Sequence, residues 1–428
     1  MSEREKYLKV VKELGIQLPN KKYIKNKELK ELVVKHLTVA NTKKIKRSQS
    51  LPDLKNNQVN KLKKTGMKLK MSLVKKPSFN IKKSIFPKVQ KIVAIGDIHG
   101  DLSAAIKALK LAGVISLSIP NNETDIKSIN WEGGNTFVVQ LGDQIDRVRP
   151  NKLVNDLCAP RDSGLVDDEG SDLKIIWLFE KLNSQAMKKG GAVISVLGNH
   201  ELMNVEGDFR YVSPREFKEF ATFFKEKKKN DQFPHGYESR KRVFSPGGAI
   251  AKKLGSSRYS IVQVGSWVFV HGGISPRLAN EYTIDNVNTI IKDWLHGKTD
   301  ATTMKHVAEI YSSDDETYSP FWNRMYTESD EWDESAEKKF YITLNILNKK
   351  NKRNEKNKIK GMIMGHSPQF MYGKGLNSCC SDRLWRVDVG MSRAFGPMGD
   401  LADDDLKNRK VQVLVIKNDK DFTIVREK

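Results

Sequence analysis

Five short apolar runs, each leading into a turn where a glycine sits beside an Asp, Asn or His, constrain this chain of 428 residues more than any other feature. The runs are Ile92 to Ile95, Thr136 to Leu141, Ala192 to Leu197, Trp267 to Val270 and Met362 to Met364. Short unbroken apolar runs are the pattern of strands covered on both faces, because a strand with one wet face alternates apolar and polar residues. Leu102 to Leu111, after the first run, has helical spacing. The pattern predicts an α/β fold, a β-sandwich flanked by helices, occupying residues 91 to 428. The acidic stretch from Asp162 to Asp172 and the Lys/Asn-rich stretch from Asn348 to Lys358 read as exposed loops.

The residues at the run ends carry the chemistry. They are Gly96-Asp97-Ile98-His99-Gly100-Asp101, Gly142-Asp143-Gln144-Ile145-Asp146-Arg147, Gly198-Asn199-His200-Glu201, His271-Gly272-Gly273 and Gly365-His366. A strand fixes its last residue closely, and a neighbouring glycine allows a sharp turn that presents the side chain at the sheet edge. Asp, Asn and His offer the oxygen and imidazole donors that suit hard to borderline divalent metals, and no cysteine is among them. Four of the 8 histidines fall in these turns. The other four, His36, His235, His296 and His306, have no such setting and read as surface or satisfied core residues.

In order and type these motifs resemble those of the metal-dependent phosphoprotein phosphatases of the calcineurin-like phosphoesterase superfamily, which run GDxHG, GDxxDR, GNHE, HGG and a final H. The resemblance implies a dimetal site: Asp97 and His99 on one metal, Asp143 bridging both, and Asn199, His271 and His366 on the second. Asp/Asn/His sets take Mn, Fe or Zn, and the donors do not choose among them. The resemblance makes His200 the acid that protonates the leaving oxygen, Asp146 its partner, and Arg147 a phosphate clamp together with Asn199. Two metals about 3.5–4 Å apart can deprotonate a bridging water for in-line attack on phosphorus, and a histidine paired to a carboxylate can deliver a proton. Pro320-Phe321-Trp322-Asn323-Arg324 looks like the P-x-W-x-R stretch of the bacterial-type branch, which points to Arg324 as a second phosphate-binding arginine.

Departures narrow the resemblance. Leu197 stands where common eukaryotic serine/threonine phosphatases have Arg, and Gln144 and Val148 alter their GDYVDRG motif. The stretch Trp385-Arg386-Val387-Asp388-Val389-Gly390-Met391-Ser392 replaces their C-terminal Tyr-Cys motif, as in the Shewanella-like and related bacterial-type phosphatases. The expected reaction is hydrolysis of phosphomonoesters on proteins, at Ser/Thr or also at Tyr. Hydrolysis of dinucleoside polyphosphates or RNA 5′ ends is the alternative enzyme reading. A non-catalytic nucleic-acid-binding scaffold is the third, and the complete ligand set argues against it.

Charge divides the chain. Residues 1 to 91 hold 26 of the 75 Lys and Arg but 6 of the 52 Asp and Glu, so +20 of the net +23 sits there. Helical spacing at Leu8, Val11 and Leu14 and again at Leu29, Leu32, Val33 and Leu37 predicts a small module over residues 1 to 40 that loosely resembles a SAP-type helix pair. Residues 41 to 90 read as a basic, disordered linker. The cluster Lys43, Lys44, Lys46 and Arg47 suits nucleic acid, a nuclear import receptor or another anionic surface, and Ser50, once phosphorylated, resembles a 14-3-3 docking site. Three cysteines, Cys158, Cys379 and Cys380, build no disulfide framework. No run approaches the about 18 apolar residues of a membrane span. The expected setting is intracellular, in cytoplasm or nucleus, and virion-associated if the Lys/Asn/Ile richness reflects a viral genome.

Overall fold

The computed structural model describes residues 84–149, 168–226, 233–312, 315, 317–327, 334–351, 355, 357–396 and 403–428. The helical module over 1–40, the linker up to residue 83, the Lys43–Arg47 cluster, Ser50 and Cys158 lie outside the described residues. The chain divides after Lys76, and every described residue belongs to the unit Pro77–Lys428.

The strands are β1 (Ile85–Phe86), β2 (Lys91–Ile95), β3 (Phe137–Gln140), β4 (Ala192–Val196), β5 (Arg258–Tyr259), β6 (Ile261–Val264), β7 (Trp267–Val270), β8 (Gly361–Met364), β9 (Asn377–Cys379), β10 (Leu384–Arg386), β11 (Gln412–Lys417) and β12 (Asp421–Arg426). Among the described residues they form two mixed six-stranded sheets, β12-β11-β2-β3-β4-β5 and β1-β6-β7-β8-β10-β9. In the first sheet β2, β3 and β4 are parallel, with Ile92 opposite Phe137 and Phe137 opposite Ala192. In the second, β7 and β8 are parallel, with Val270 opposite Met364. All five predicted runs are therefore strands, and parallel pairing brings their C-terminal ends to a common edge of each sheet.

Apolar continuity along these strands has the expected cause. Val93 and Val139 of one sheet and Phe269, Ile363 and Trp385 of the other share one core. Val268, Val270, Met362 and Met364 face the opposite way, into a second core with the helices Ile284–Leu295 and Glu334–Lys350. The first sheet is covered by the helices Leu102–Leu111 and Asp172–Met187. Each fully buried aliphatic or Phe side chain here contributes about 1.5–3 kcal/mol, so both faces of the strands resist polar substitution.

Three local expectations differ from the structure. The first strand, β1, pairs with β6 inside the stretch expected to be linker, and two residues are too few for any periodicity to reveal. The helix Glu334–Lys350 runs into the expected loop from Asn348, continuing the spacing of Phe340, Leu344 and Leu347. Asp172, expected on an exposed loop, opens the helix Asp172–Met187 and is fully buried.

Glu219, on the helix Pro214–Phe223, accepts a hydrogen bond from Leu173 N at 3.0 Å. Burial, and then the nearby Asp172, push its carboxyl from 4.5 to about 8. The folded chain therefore holds a proton that the unfolded chain releases near pH 4.5, and stability falls as pH rises from there through about 8. Glu219→Gln should remove that slope: between about pH 5 and about pH 9 the wild type should lose several degrees more of melting temperature than the variant. Parallel melting curves would refute the assignment.

Candidate metal centre

The ends of β2, β3, β4, β7 and β8 bring the six predicted metal-binding residues together. Asp97, His99, Asp143, Asn199, His271 and His366 are all buried, at 0–5% exposure. Asp143 is their common member. It belongs with His99 and His200 to one set of donor atoms lying within 4.8 Å of one another, and with His271 and His366 to a second. Its Oδ2 lies 3.2 Å from His271 Nε2, 3.8 Å from His99 Nε2 and 3.9 Å from His200 Nε2. Asn199 Oδ1 lies 2.9 Å from His271 Nε2, and Asp97 Oδ2 lies 3.9 Å from His99 Nε2 while accepting His366 N at 3.0 Å.

Glycine serves these turns in two ways: Gly100 and Gly142 have left-handed φ of 64° and 97°, while Gly198 and Gly365 allow close approach. A Cβ on Gly198 would stand 2.0 Å from Asp143 Oδ1, and one on Gly365 2.4 Å from Asp97 Oδ1. Left-handed conformations fall also on predicted site residues: His99, Asp143, Asp146 and His366 have φ of 45°, 50°, 74° and 70°. Backbone of that kind persists where its surroundings over-determine it. Glu201 is such a constraint, since its buried carboxylate accepts Asp143 N at 3.0 Å, Gln144 N at 2.8 Å and Gly198 N at 2.7 Å, clasping the turns after β3 and β4.

The donor set fits a pair of cations. His271 Nδ1–H donates to Leu141 O at 2.7 Å, which turns Nε2 toward Asp143; burial works against a charge on this ring, but Asp143 outweighs it and raises the group above its ordinary range. Burial, and then Arg149, hold His99 well below the ordinary histidine range, and burial followed by Arg324 does the same to His366, so both rings stay neutral as ligands must. Asp97 is pushed well above the carboxylate range by burial, then by Asp388 and Asp143. Burial also works against the Asp143 charge, but His271 and His200 outweigh it and hold that group well below the range. Asp97 Oδ1 and His366 Nε2 are buried without a hydrogen-bond partner. Crowded carboxylates with unpartnered donors are costly alone and are stabilised by positive charge placed among them.

Beside this cluster stands the predicted acid. His200 Nδ1–H donates to Asp146 Oδ2 at 2.9 Å, which directs Nε2 toward Asp143. Its ring packs edge-on against His99 and Tyr211, both at 4.8 Å between centroids. A network that no motif announces holds Asp146: Asn204 Nδ2 donates to both of its oxygens at 2.9 and 3.0 Å, and Arg240 Nη2 donates to Oδ1 at 3.0 Å. Arg240 is fully buried, also donates to Asp172 Oδ2 at 2.7 Å and to Asn204 Oδ1 at 2.6 Å, and lies over the Phe220 ring at 4.6 Å.

Arg324 reaches the site, with Nη1 donating to Ser367 Oγ at 3.1 Å and to His366 O at 3.3 Å. Arg147 is placed differently. It is 1% exposed and ion-paired through Nη1 to Asp101 Oδ2 at 3.3 Å. The remaining described histidines have ordinary partners: His296 bonds Ser256 and Lys292, His306 bonds Tyr282, and His235 meets Glu226 O. Among the described residues no helix is long and apolar enough to cross a membrane.

Comparison with known proteins agrees with this geometry. Residues 90–370 match the calcineurin-like phosphoesterase family. The chain is similar to Shewanella-like protein phosphatase 2 of Arabidopsis thaliana, 31% identical over 336 residues that cover 72% of this chain and 73% of the relative. It is similar also to Shewanella-like protein phosphatase 1 of Plasmodium berghei (strain Anka), 28% identical over 77% of this chain and 76% of that relative. Among solved structures, a cold-active protein-tyrosine phosphatase of a psychrophile Shewanella sp. aligns over 82% of this chain and 85% of its own, with a TM-score of 0.52 and 19% identity, a likeness of fold.

Proposed function

This chain belongs to the calcineurin-like phosphoesterase family, in its Shewanella-like protein phosphatase branch, and we propose that it hydrolyses phosphomonoesters on proteins, at phosphoserine, phosphothreonine or phosphotyrosine. The observation that carries the reading is Asp143, shared by two donor sets, with the His200–Asp146 pair at its side.

Asp97 and His99 would hold one metal, Asn199, His271 and His366 the other, and Asp143 both. When bound, such a pair supplies Lewis acidity toward the phosphoryl oxygens and a deprotonated water at neutral pH. The protein's own groups do the rest. Asn199 and Arg324 orient the phosphate, with Arg324 fixed by His366 O and Ser367 Oγ. An arginine of the β3 turn completes the clamp, since a planar guanidinium matches two phosphate oxygens at once. His200 donates a proton from Nε2 to the departing oxygen while Asp146 keeps Nδ1 protonated and the ring in plane. Tyr211 beside His200, Phe395 beside His99 and Trp322 beside His366 give the site flat apolar walls that suit a phosphoaryl group as well as an alkyl one.

The test is a substrate panel with the metal-loaded chain: peptides carrying phosphoserine, phosphothreonine or phosphotyrosine against diadenosine tetraphosphate and capped RNA. The phosphopeptides should exceed the nucleotides in kcat/KM by about tenfold or more, a difference of roughly 1.4 kcal/mol in transition-state binding. Turnover confined to the nucleotides would replace this reading with a nucleotide phosphohydrolase.

A further inference from the structure

We infer that Arg149, rather than Arg147, is the arginine of the β3 turn that meets the substrate phosphate; the inference rests on the phosphatase reading above. The two lie in one tetrapeptide, Asp146-Arg147-Val148-Arg149, and the structure sends them to different places.

Arg147 is buried in the fold. Its side chain packs beside Gly100, its backbone N–H donates to Glu216 Oε2 at 3.2 Å, and its guanidinium pairs with Asp101. Asp101 is gripped in turn by Arg393, whose Nη2 donates to Oδ1 at 2.9 Å and Nε to Oδ2 at 3.0 Å. A guanidinium 1% exposed in such a setting fastens the β2 turn to the β3 turn, and moving it outward would break a buried ion pair.

Arg149 lies over the rings that flank the donor cluster. It is half-buried, with its guanidinium 4.7 Å from the centre of the Phe395 ring and 5.6 Å from that of Tyr211. Those rings lie edge-on against the site itself, Phe395 at 5.5 Å from His99 and Tyr211 at 4.8 Å from His200. The guanidinium is thus flanked through one ring by a metal-ligand histidine and through the other by the proton donor. Nη1 donates to Val148 O at 2.8 Å and Asp146 O at 3.2 Å, and these are its hydrogen bonds among the described residues. Cation–π contacts hold the plane without using N–H groups, so the remaining donors stay available to an anion. Arg149 then serves the His99–His200 end of the site and Arg324 the His366 end.

The experiment uses the full-length, metal-loaded chain with an aryl phosphate as substrate and inorganic phosphate as competitive inhibitor. Arg149→Met should raise the phosphate inhibition constant about tenfold or more, the loss of charge-assisted hydrogen bonds, with Arg149→Lys recovering part of it. Both metals should remain by elemental analysis and the melting temperature should hold. Arg147→Lys should act chiefly by lowering the melting temperature. Should Arg149→Met not fold, Arg149→Gln gives the same comparison. The reverse pattern, phosphate inhibition weakened by Arg147→Lys and untouched at Arg149, overturns the assignment. A wild-type chain that neither turns over the aryl phosphate nor responds to phosphate fails the phosphatase reading itself, whichever arginine is changed.

Discussion

Asp143→Asn should strip the site of metal and activity together. Metal affinity is expected to fall more than about 100-fold and turnover of an aryl phosphate by about 1,000-fold or more, because the proposed assignment gives one carboxylate to both cation positions. Asp143 Oδ2 faces His271, His99 and His200 at 3.2 to 3.9 Å, so an amide there removes the negative charge that these rings surround. The other carboxylate oxygen accepts His200 N at 3.0 Å, a bond that Asn keeps with its carbonyl. If the carbonyl stays on His200 N, the NH₂ group points its protons at the imidazole lone pairs meant for metal. Elemental analysis and kinetics on the same preparation would check this, with circular dichroism to confirm the fold. Two metals retained per chain would show that Asp143 is not the shared ligand.

The candidate ligands were legible because each sits in a turn where a strand stops. An apolar run tells which residues are buried, the glycine marks the turn, and the next side chain has little choice of position. Asp97, Asp143, Asn199, His271 and His366 needed nothing beyond that reasoning to be singled out as a group. Gly142 is left-handed, as a sharp turn requires, whereas at Gly198 and Gly365 the requirement is space for a neighbouring carboxylate. Arg240 was hidden: its partners Asp146 and Asp172 lie 94 and 68 residues away, and the helix Tyr237–Phe244 reads YESRKRVF, a charged surface sequence. A faint signal exists, because Tyr237, Arg240 and Phe244 fall at i, i+3 and i+7 and so share one face. Asn204 carries a similar one, four residues after His200 on the same helix. Asp172 had none, since an acid ending an acidic stretch looks solvated until a buried guanidinium is found opposite it.

His200→Asn and Arg240→Met should divide what Asp143→Asn joins. The first is expected to lower turnover by about 10²–10⁴-fold, the worth of a positioned general acid, with two metals still bound. Its metal neighbours lose no ligand in the proposed assignment, and Asn keeps the backbone N–H that Asp143 Oδ1 accepts. The second is expected to cost about 3–5 kcal/mol of stability, since removing one partner strands buried charge. Arg240 faces Asp146 and Asp172 directly, with Glu216 behind them held well above its usual range by burial and then by Asp172, and with His200 on the far oxygen of Asp146. Without the guanidinium, Asp146 keeps Asn204 and His200 among the described residues, so the variant should also lower kcat more than it raises KM. Arg240→Lys, which restores charge but not the fork that spans Asn204, Asp146 and Asp172, should recover stability in part. Thermal melts, metal content and the kcat–KM split measured on all three proteins decide the matter. Metal loss in His200→Asn equal to that in Asp143→Asn would make His200 a ligand, and an Arg240→Met protein melting like the wild type would remove the buried network from the account of how the acid is held.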